Sequence, residues 1–366
     1  MKFEMTLPQD IRFGRMCRKQ LFSLLPQGPV LFVCGNHAKK RIEAETAALA
    51  DNRRTVIASA GSGEPGVDAV DRLLEQARKE RINSVVGWGG GSAMDSAKAV
   101  AALLKESRPA ADYFYGRAEA QARSTFLALL PTTAGTGAEV TANAVLTDPE
   151  TKIKQSLRTP GMAADAALVD PELISECPPS VMAASGFDAL TQAIESFISR
   201  KADALTRALA RTAARDIFFN LEGACSGDPA AADAVSLGSL NAGIALSKSG
   251  LGAVHGIGHP AGSLLSIPHG VCCAVLLVEV LKFNLPAARD GLDELASALG
   301  TQDACGLIDR ISALRQKLGV PGSFRSFGLK KEHFGFIVEN CRSGSMKSNP
   351  RDMSDAEVVS LLEKLI

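Results

Sequence analysis

The stretch NSVVGWGGGSAMDSAK, residues 83–98, decides the fold. Residues 83–87 (NSVVG) contain two adjacent β-branched valines, which predicts a strand, and a helix is predicted over residues 93–104. Three consecutive glycines, Gly89, Gly90 and Gly91, lie between them. Glycine lets the backbone approach a ligand closely, and the N–H groups at a helix N-terminus attract phosphate. The stretch therefore predicts a phosphate-binding turn, although it is not the GxGxxG fingerprint of ordinary dinucleotide sites.

A plainer interpretation of this turn stays open. Ser92 and Asp95 have the spacing of a capping box, which needs no ligand. Three successive glycines exceed what such a cap requires, however. Lys98 also lies early in the helix, where the helix dipole disfavours a cation. Both features favour phosphate binding.

Strand-like and helical segments alternate around this turn. Further strands are predicted at 29–34, 55–58, 126–130, 144–147 and 167–169, and helices at 38–50 and 66–80. This alternation is typical of parallel βαβ units. After Pro178 and Pro179 the spacing becomes helical, with helices predicted at 186–199, 203–219, 231–258, 269–283, 288–299, 304–317 and 354–365. We expect two domains, an α/β domain over residues 1–177 and an all-α domain over residues 178–366.

A second loop of interest follows the strand predicted at 126–130. It reads PTTAGTGAE over residues 131–139 and offers three hydroxyls and two glycines. Loops are commonly rich in Thr and Gly, so the signal is moderate by itself. Ligands of open α/β sheets bind at the carboxyl ends of strands, where both loops are expected.

Histidines cluster in the helical half. The chain has five, and His255, His259 and His269 fall within fifteen residues of one another. His255 and His259 are four apart and share a helix face, which Pro260 is expected to end. Histidine is both a metal ligand and a proton carrier. Asp188, near the start of a predicted helix, is either the missing carboxylate partner or an N-terminal helix charge.

Composition bounds the class of protein. The chain has 40 basic and 40 acidic residues, and this balance argues against nucleic-acid binding and against an electrostatic membrane anchor. We expect neither a signal peptide nor an apolar run long enough to span a membrane. Eight scattered cysteines without a CxxC motif indicate reduced thiols and a cytoplasmic protein. Cys272 and Cys273 lie near the histidines, either as core residues or as a functional thiol.

Four motifs together resemble the iron-containing (group III) alcohol dehydrogenases. They are GGGSAMDSAK (89–98), PTTAGTGAE (131–139), GFDALTQAIES (186–196) and AVHGIGHPAG with PHG (253–270), and the resemblance covers the whole chain. It implies a Rossmann-like α/β domain followed by an all-α domain, an architecture shared with dehydroquinate synthases. It implies that NAD(P) is held by Gly35, Gly89, Gly90, Gly91, Ser92, Asp95, Thr132, Thr133, Thr136 and Lys154.

The resemblance also implies a divalent metal, Fe²⁺ or Zn²⁺. The metal positions fall on Asp188, Gln192, His255 and His269, and His259 matches a histidine beside the substrate, where it would act in catalysis. Gln192 departs from the family, in which most metal-binding members carry histidine. An amide oxygen is a weak ligand, so a site with three protein ligands or a site without metal are alternatives.

The preference between NAD and NADP has its own signal. The segment Cys34-Gly35-Asn36-His37 lacks the acidic residue with which NAD-preferring relatives repel a 2′-phosphate, and His37, Lys39 and Lys40 lie nearby. We expect NADP(H) to be accepted. The alternative is that both lysines are ordinary solvated helix charges.

The resulting function prediction is an NAD(P)-dependent alcohol dehydrogenase or aldehyde reductase. Its partner would be a small alcohol or aldehyde, without nucleic acid or membrane, and the family favours a homodimer. Two alternatives remain open: a metal-dependent lyase of the dehydroquinate-synthase type, and a degenerate nucleotide-binding protein without metal. Gln192 supports the degenerate alternative, whereas the three histidines oppose it.

Overall fold

A computed structural model describes residues 4–35, 38–48, 53–61 and 63–366. The chain divides into two compact units. The sheet unit comprises Thr6–Thr133 and Ala138–Glu176, and the helical unit is built mainly from Cys177–Ile366 with the short segment Ala134–Gly137. The separation into folding domains at residues 177 and 178 stays a prediction.

The sheet unit is organised around six parallel strands in the order β1-β8-β5-β4-β2-β3. A separate antiparallel pair is formed by β6 and β7. The strands are β1 (Asp10–Phe13), β2 (Val30–Cys34), β3 (Thr55–Ser59), β4 (Ser84–Gly89), β5 (Phe126–Pro131), β6 (Ala144–Thr147), β7 (Lys154–Leu157) and β8 (Ala166–Val169). Its helices are α1 (Leu21–Leu24), α2 (Lys39–Ala48), α3 (Val67–Lys79), α4 (Gly91–Leu103), α5 (Ala110–Phe114) and α6 (Pro171–Ser175).

Alternation along β2 shows why this sheet is buried on both faces. Leu31 and Val33 belong to one apolar cluster, whereas Val30 and Phe32 belong to another. Successive side chains of a strand point to opposite faces, so a strand apolar at every position needs cover on both sides. The sheet is therefore the middle layer of an α/β unit, and the α/β prediction for this half is confirmed.

The strand order creates a topological switch between β2 and β4. From β2 the chain moves outward to β3, and from β4 it moves in the opposite direction to β5. The loops at the carboxyl ends of β2 and β4 therefore lead to opposite sides, which leaves the crevice where open α/β sheets bind ligands. Gly35 follows β2, and Gly89 ends β4.

The helical unit contains nine helices within the part of the chain that the structure describes. They are α7 (Pro179–Ile198), α8 (Ala204–Cys225), α9 (Pro229–Ser249), α10 (Ala253–Leu265), α11 (His269–Ala298), α12 (Ala304–Lys317), α13 (Phe334–Asn340), α14 (Gly344–Ser348) and α15 (Asp355–Glu363). The all-α prediction for this half is confirmed. Short 3₁₀ turns occur at Cys17–Gln20 in the sheet unit and at Arg325–Phe327 and Lys331–His333 here.

In two places the number of helices differs from the prediction. The helix predicted over 231–258 is two helices, because Gly250 adopts a left-handed φ of 67° after α9. The helices predicted at 269–283 and 288–299 are one helix, α11, with a kink at Ala288 shortly after Pro286.

Pro260 does not end its helix, so that prediction is wrong. It lies inside α10, which continues to Leu265. Proline removes one backbone hydrogen bond, but Ile257 and Ala261 on either side are fully buried. Tertiary packing of this kind supplies most helical stability and outweighs the lost bond.

Among the described residues, one helix, α11, contains an apolar stretch that is long enough by length and composition to cross a membrane. This helix differs from the expectation that no apolar run is long enough to span a membrane. Within the structure, 61% of the stretch is buried against the rest of the chain, as in a core helix.

Candidate functional site

The glycine turn after β4 has the geometry of a phosphate cradle. A Cβ on Gly89 would lie 2.7 Å from the Cβ of Ala93 and 3.1 Å from the backbone nitrogen of Gly35, so a side chain there would force its neighbours to shift. A Cβ on Gly90 would meet only Thr133 within 4 Å among the described residues. The turn thus brings the ends of β2 and β4 together while leaving space above Gly90.

The N-terminus of α4 has no side-chain cap. Gly90 is its N-cap residue and makes no side-chain hydrogen bond. The capping box considered for Ser92 and Asp95 is wrong, because Ser92 Oγ donates to the carbonyl of Gly63 at 2.6 Å. Asp95 instead accepts a hydrogen bond from the backbone N–H of Val145 at 3.1 Å. Among the described residues, no side chain caps the first N–H groups of α4, as phosphate binding requires.

Lys98 connects α4 to the segment after the second loop. It is fully buried, and Nζ donates to the carbonyl of Ala138 at 2.8 Å and to Thr141 Oγ1 at 3.2 Å. Its Nζ also lies 2.8 Å from Asp95 Oδ1. Nearby, burial raises the pKa of the Glu139 carboxyl to about 7. Lys98 is thus a structural clamp, and its position early in the helix is explained by a buried partner.

The second loop begins beside the glycine turn. The pairing of β4 with β5 runs to Gly89 and Pro131, and the N–H of Thr132 donates to the carbonyl of Gly89 at 2.9 Å. Thr133 is the neighbour of Gly90 described above. The structure therefore brings the following predicted cofactor residues together in the sheet unit: Gly35, Gly89, Gly90, Gly91, Ser92, Thr132 and Thr133.

Three predicted cofactor residues lie elsewhere or are already paired. Thr136 belongs to the helical unit. Lys154, in β7, forms an ion pair with Glu64 at 2.7 Å. Asp95 is buried in the pair with Lys98. Asn36 and His37 lie outside the described residues.

A compact donor cluster lies in the helical unit. It contains Asp188 from α7, His255 from α10, and His269 and Cys273 from α11, with one ligand atom of each within 4.8 Å of the others. His255 Nε2 is 3.2 Å and His269 Nε2 is 3.7 Å from Asp188 Oδ1. Cys273 is fully buried like a core residue, but its thiol faces this cluster.

The close approach of α11 to α7 explains the cluster. A Cβ on Gly270 would lie 2.1 Å from the carbonyl oxygen of Ala184, so only glycine allows the first turn of α11 to pack there. His269 precedes this glycine, and Cys273 follows one turn later on the same helix face. Both side chains thereby reach Asp188, which lies one turn beyond Ala184 in α7.

Gln192 lies beside the cluster, and its role as a metal ligand stays a prediction. Its Nε2 donates to Asp188 Oδ1 at 3.1 Å, and its Oε1 is buried without a hydrogen-bond partner. The amide therefore presents its nitrogen to the carboxylate. The oxygen, the atom by which an amide ligates a metal, has no partner among the described residues.

Glu195 is a residue that the sequence analysis missed. Its Oε2 is 2.6 Å from His255 Nδ1, and its Oε1 accepts a hydrogen bond from the N–H of Val254 at 2.7 Å. This contact turns His255 Nε2 toward Asp188, which is how outer carboxylates orient metal-binding histidines. The signal was present, because Asp188, Gln192 and Glu195 recur on one helix face at spacings of four and three.

The negative charge of Asp188 is stabilised by the two imidazoles that lie next to it. Burial opposes ionisation of Asp188, yet His269 and His255 hold the pKa of its carboxyl below the ordinary value. Burial raises the pKa of the Cys273 thiol to about 12.

His259 borders the cluster without belonging to it. Its ring centroid lies 5.2 Å from that of His269 and 6.2 Å from that of His255. The residue is half-buried. A carboxylate, two imidazoles and a thiol at these separations form the donor set that a first-row divalent ion takes, so the residues present fit a metal.

Comparison with known proteins places both halves of the chain in one family. Residues 8–171 match the family described as iron-containing alcohol dehydrogenase, and residues 182–366 match the Fe-containing alcohol dehydrogenase family, C-terminal. Lactaldehyde reductase of Escherichia coli (strain K12) is 31% identical over 93% of this chain and 90% of that protein.

Solved structures agree in fold. The crystal structure of 1,3-propanediol oxidoreductase superposes with a TM-score of 0.92 at 29% identity, covering 100% of both chains. Sulfoacetaldehyde reductase from Bifidobacterium kashiwanohense, solved in complex with NAD⁺, gives 0.91 at 28% identity, covering 100% of this chain and 99% of that one.

These relatives are two reductases and an oxidoreductase, so the lyase alternative is not favoured. The chain belongs to the iron-containing alcohol dehydrogenase family and is an oxidoreductase that acts on the CH–OH group of alcohols.

Proposed function

We propose that this protein interconverts short aldehydes and primary alcohols with a nicotinamide dinucleotide and a divalent ion. The observation that carries the proposal is the convergence of Asp188, His255 and His269 on one point in the helical unit. The similar proteins named above act on lactaldehyde, 1,3-propanediol and sulfoacetaldehyde, which have two or three carbons. We therefore assign short-chain substrates.

The dinucleotide is proposed to bind the sheet unit through its pyrophosphate. The backbone of Gly89, Gly90 and Gly91 and the uncapped N-terminus of α4 would hold it, with Gly35, Ser92, Thr132 and Thr133 around them. Asp95, Thr136 and Lys154 are proposed contacts as the family implies, and Lys154 would have to exchange its partner Glu64 for the cofactor.

In the helical unit, Asp188, His255 and His269 are proposed to hold the ion. When bound, the ion polarises the substrate oxygen and the reduced dinucleotide supplies the hydride. Glu195 keeps the Nε2 of His255 directed at the cluster. His259, beside His269, is the proposed donor of the proton that the alcohol oxygen gains during reduction.

NADPH is proposed to be accepted alongside NADH. Lys39 is the first residue of α2, which follows β2. Its side chain is mostly exposed, and its Nζ lies 4.0 Å from Glu43 Oε1. Lys40 is also exposed. Two such cations favour a 2′-phosphate. The measurement is kcat/KM for each dinucleotide, and a clear preference for NADH would overturn this part.

A cytoplasmic homodimer is proposed as well. All eight cysteines are free thiols, as a reducing compartment requires. Phe13 and Met16 are exposed apolar residues, each at 38%, on and just after edge strand β1, where a second copy would cover them. Light scattering of the purified protein measures the assembly, and a monomer at micromolar concentration would contradict the dimer.

Elemental analysis paired with an NAD(P)H-oxidation screen over short aldehydes tests the central proposal. We expect about one divalent ion per chain and aldehyde-dependent oxidation that is lost on treatment with a chelator and restored by the ion. Nucleotide binding without oxidation of any aldehyde would instead favour the degenerate alternative.

A further inference from the structure

We propose that Cys273 is a metal ligand in this chain, in place of Gln192, so that the ion is held by Asp188, His255, His269 and Cys273. A thiolate makes the site one for a borderline ion such as Zn²⁺ more than for a hard ion. The inference rests on the proposed function only in assuming that a divalent ion binds this cluster.

The separations between donor atoms carry the assignment. Cys273 Sγ lies 3.5 Å from Asp188 Oδ1, 3.8 Å from His255 Nε2 and 3.7 Å from His269 Nε2. Around tetrahedral zinc, with bonds of about 2.3 Å to sulfur and about 2.0 Å to nitrogen or oxygen, sulfur would lie about 3.5 Å from the other donors. All three distances agree within a few tenths of an ångström.

The remaining donors fit the same arrangement. The two nitrogen-to-oxygen distances from Asp188 Oδ1, 3.2 Å to His255 and 3.7 Å to His269, bracket the value of about 3.3 Å for a tetrahedron. Asp188, His255 and Cys273 are buried, whereas the side chain of His269 is 18% exposed. The accessible side of the cluster therefore lies at His269.

Gln192 is a weaker candidate ligand than Cys273, because an amide oxygen binds a borderline ion less well than a thiolate does. Its nitrogen already donates to Asp188 Oδ1, the oxygen that faces both histidines. This bond stabilises the carboxylate as a ligand, because outer donors fix the orientation of ligating carboxylates. Cys273 thus replaces a donor lost at residue 192, and the amide becomes a support for Asp188.

The thiol also sets the preference among ions. Thiolates select zinc and other borderline or soft ions, whereas carboxylate, carbonyl and water ligands suit manganese and magnesium. Cys272, the neighbouring residue, is equally buried but has its Sγ near the carbonyl of Ile267, 4.0 Å away, and is not in the donor cluster. It provides a matched control.

The test is the absorption spectrum of the full-length protein loaded with Co²⁺ after its native ion has been removed. We expect a thiolate-to-cobalt charge-transfer band in the near ultraviolet for the wild type, Cys272→Ser and Gln192→Ala, and no such band for Cys273→Ser. A wild-type Co²⁺ complex without the band overturns the proposal, and this arm needs no substitution that endangers folding.

Affinity gives a second readout. Chelator competition should show Cys273→Ser binding Zn²⁺ more than about 100-fold more weakly, because losing a ligand costs more than losing an outer partner. Its ratio of Zn²⁺ to Mn²⁺ affinity should fall at least tenfold. If Gln192→Ala loses more Zn²⁺ affinity than Cys273→Ser, Gln192 is the ligand and the proposal fails.

Neither readout uses dinucleotide or substrate. Aldehyde reduction by a Co²⁺ enzyme without the band would refute Cys273 ligation and leave the proposed function intact. A charge-transfer band in a protein that reduces no aldehyde would support Cys273 ligation and contradict the proposed function.

Discussion

The two units of this protein build their candidate sites from different materials. In the sheet unit the glycine turn offers backbone N–H groups. Gly89 and Gly90 contribute to this site because they have no side chains that would fill the space around the backbone. In the helical unit the cluster consists wholly of side chains brought from three helices. A backbone site fails when any side chain is added, whereas a side-chain site can exchange one donor for another if a neighbour reaches the same point. Gln192 and Cys273 illustrate the second case.

The largest expected effect lies in the side-chain site. His269→Ala removes a donor from the cluster, and we expect metal content and turnover to fall together. Lewis-acid polarisation contributes several kcal/mol, so turnover should fall about a thousandfold, which is about 4 kcal/mol. Elemental analysis and steady-state kinetics on the same preparation measure both quantities.

His333→Ala is the matched control for this variant. His333 lies in a 3₁₀ turn, where it accepts a hydrogen bond from the N–H of Lys330. It should keep full metal content and activity. Retention of metal and activity in His269→Ala would show that the cluster has been misassigned.

The same contrast explains what sequence could predict. The glycine turn, the adjacent threonine loop and most parallel strands were predictable, because strand periodicity and glycine runs are local properties. The helix predicted at 304–317 agrees with α12 at both ends. Strand β1 was missed because it is a short edge strand in which Asp10 and Arg12 alternate with two apolar residues.

The helical site was only partly predictable for a physical reason. Spacing shows that two residues share a helix face but not what that face contacts. Glu195 and Cys273 each lie at helical spacing from a predicted ligand, Asp188 and His269, but only the packing of three helices shows that both reach the cluster. Pro260 likewise lies within a helix because of tertiary packing.

A buried carboxyl group offers a way to test whether the stability of the sheet unit also depends on a side chain. Glu139 has its pKa raised to about 7 by burial, above its ordinary value of 4.5. The folded state therefore keeps a proton that the unfolded state releases. This contribution to stability is fully present below about pH 4.5 and is lost as pH rises through about 7.

Glu139→Gln should remove that dependence. Because one pH unit of separation corresponds to about 1.4 kcal/mol, the wild type should lose up to about 3 kcal/mol more unfolding free energy than the variant between pH 4.5 and 7.5. Urea unfolding at several pH values measures the difference. Parallel curves for the two proteins would show that Glu139 does not titrate in this range.

A smaller effect is expected from an outer residue of the side-chain site. Glu195→Gln keeps the shape of the side chain but removes the charge that faces His255 Nδ1 at 2.6 Å. Outer carboxylates of this kind contribute about 10- to 100-fold to metal affinity. Zn²⁺ affinity should fall by that factor while the cobalt charge-transfer band persists, since Cys273 is untouched. Loss of the band would assign Glu195 a role in holding the whole cluster.

The smallest effect separates two neighbouring glycines of the backbone site. Gly89→Ala places a methyl group 2.7 Å from the Cβ of Ala93, an overlap that costs roughly 1–2 kcal/mol and lowers the melting temperature.

Gly90→Ala meets only Thr133 at 3.4 Å, so the fold accommodates it and the melting temperature should stay unchanged. Its methyl group instead occupies the space above the N-terminus of α4 where the pyrophosphate is proposed to bind. Calorimetric titration should then show NADH binding about tenfold more weakly, equivalent to about 1.4 kcal/mol. Unchanged NADH affinity in a stable Gly90→Ala protein would place the pyrophosphate elsewhere, because a cradle that depends on bare backbone cannot accept a side chain at its open face.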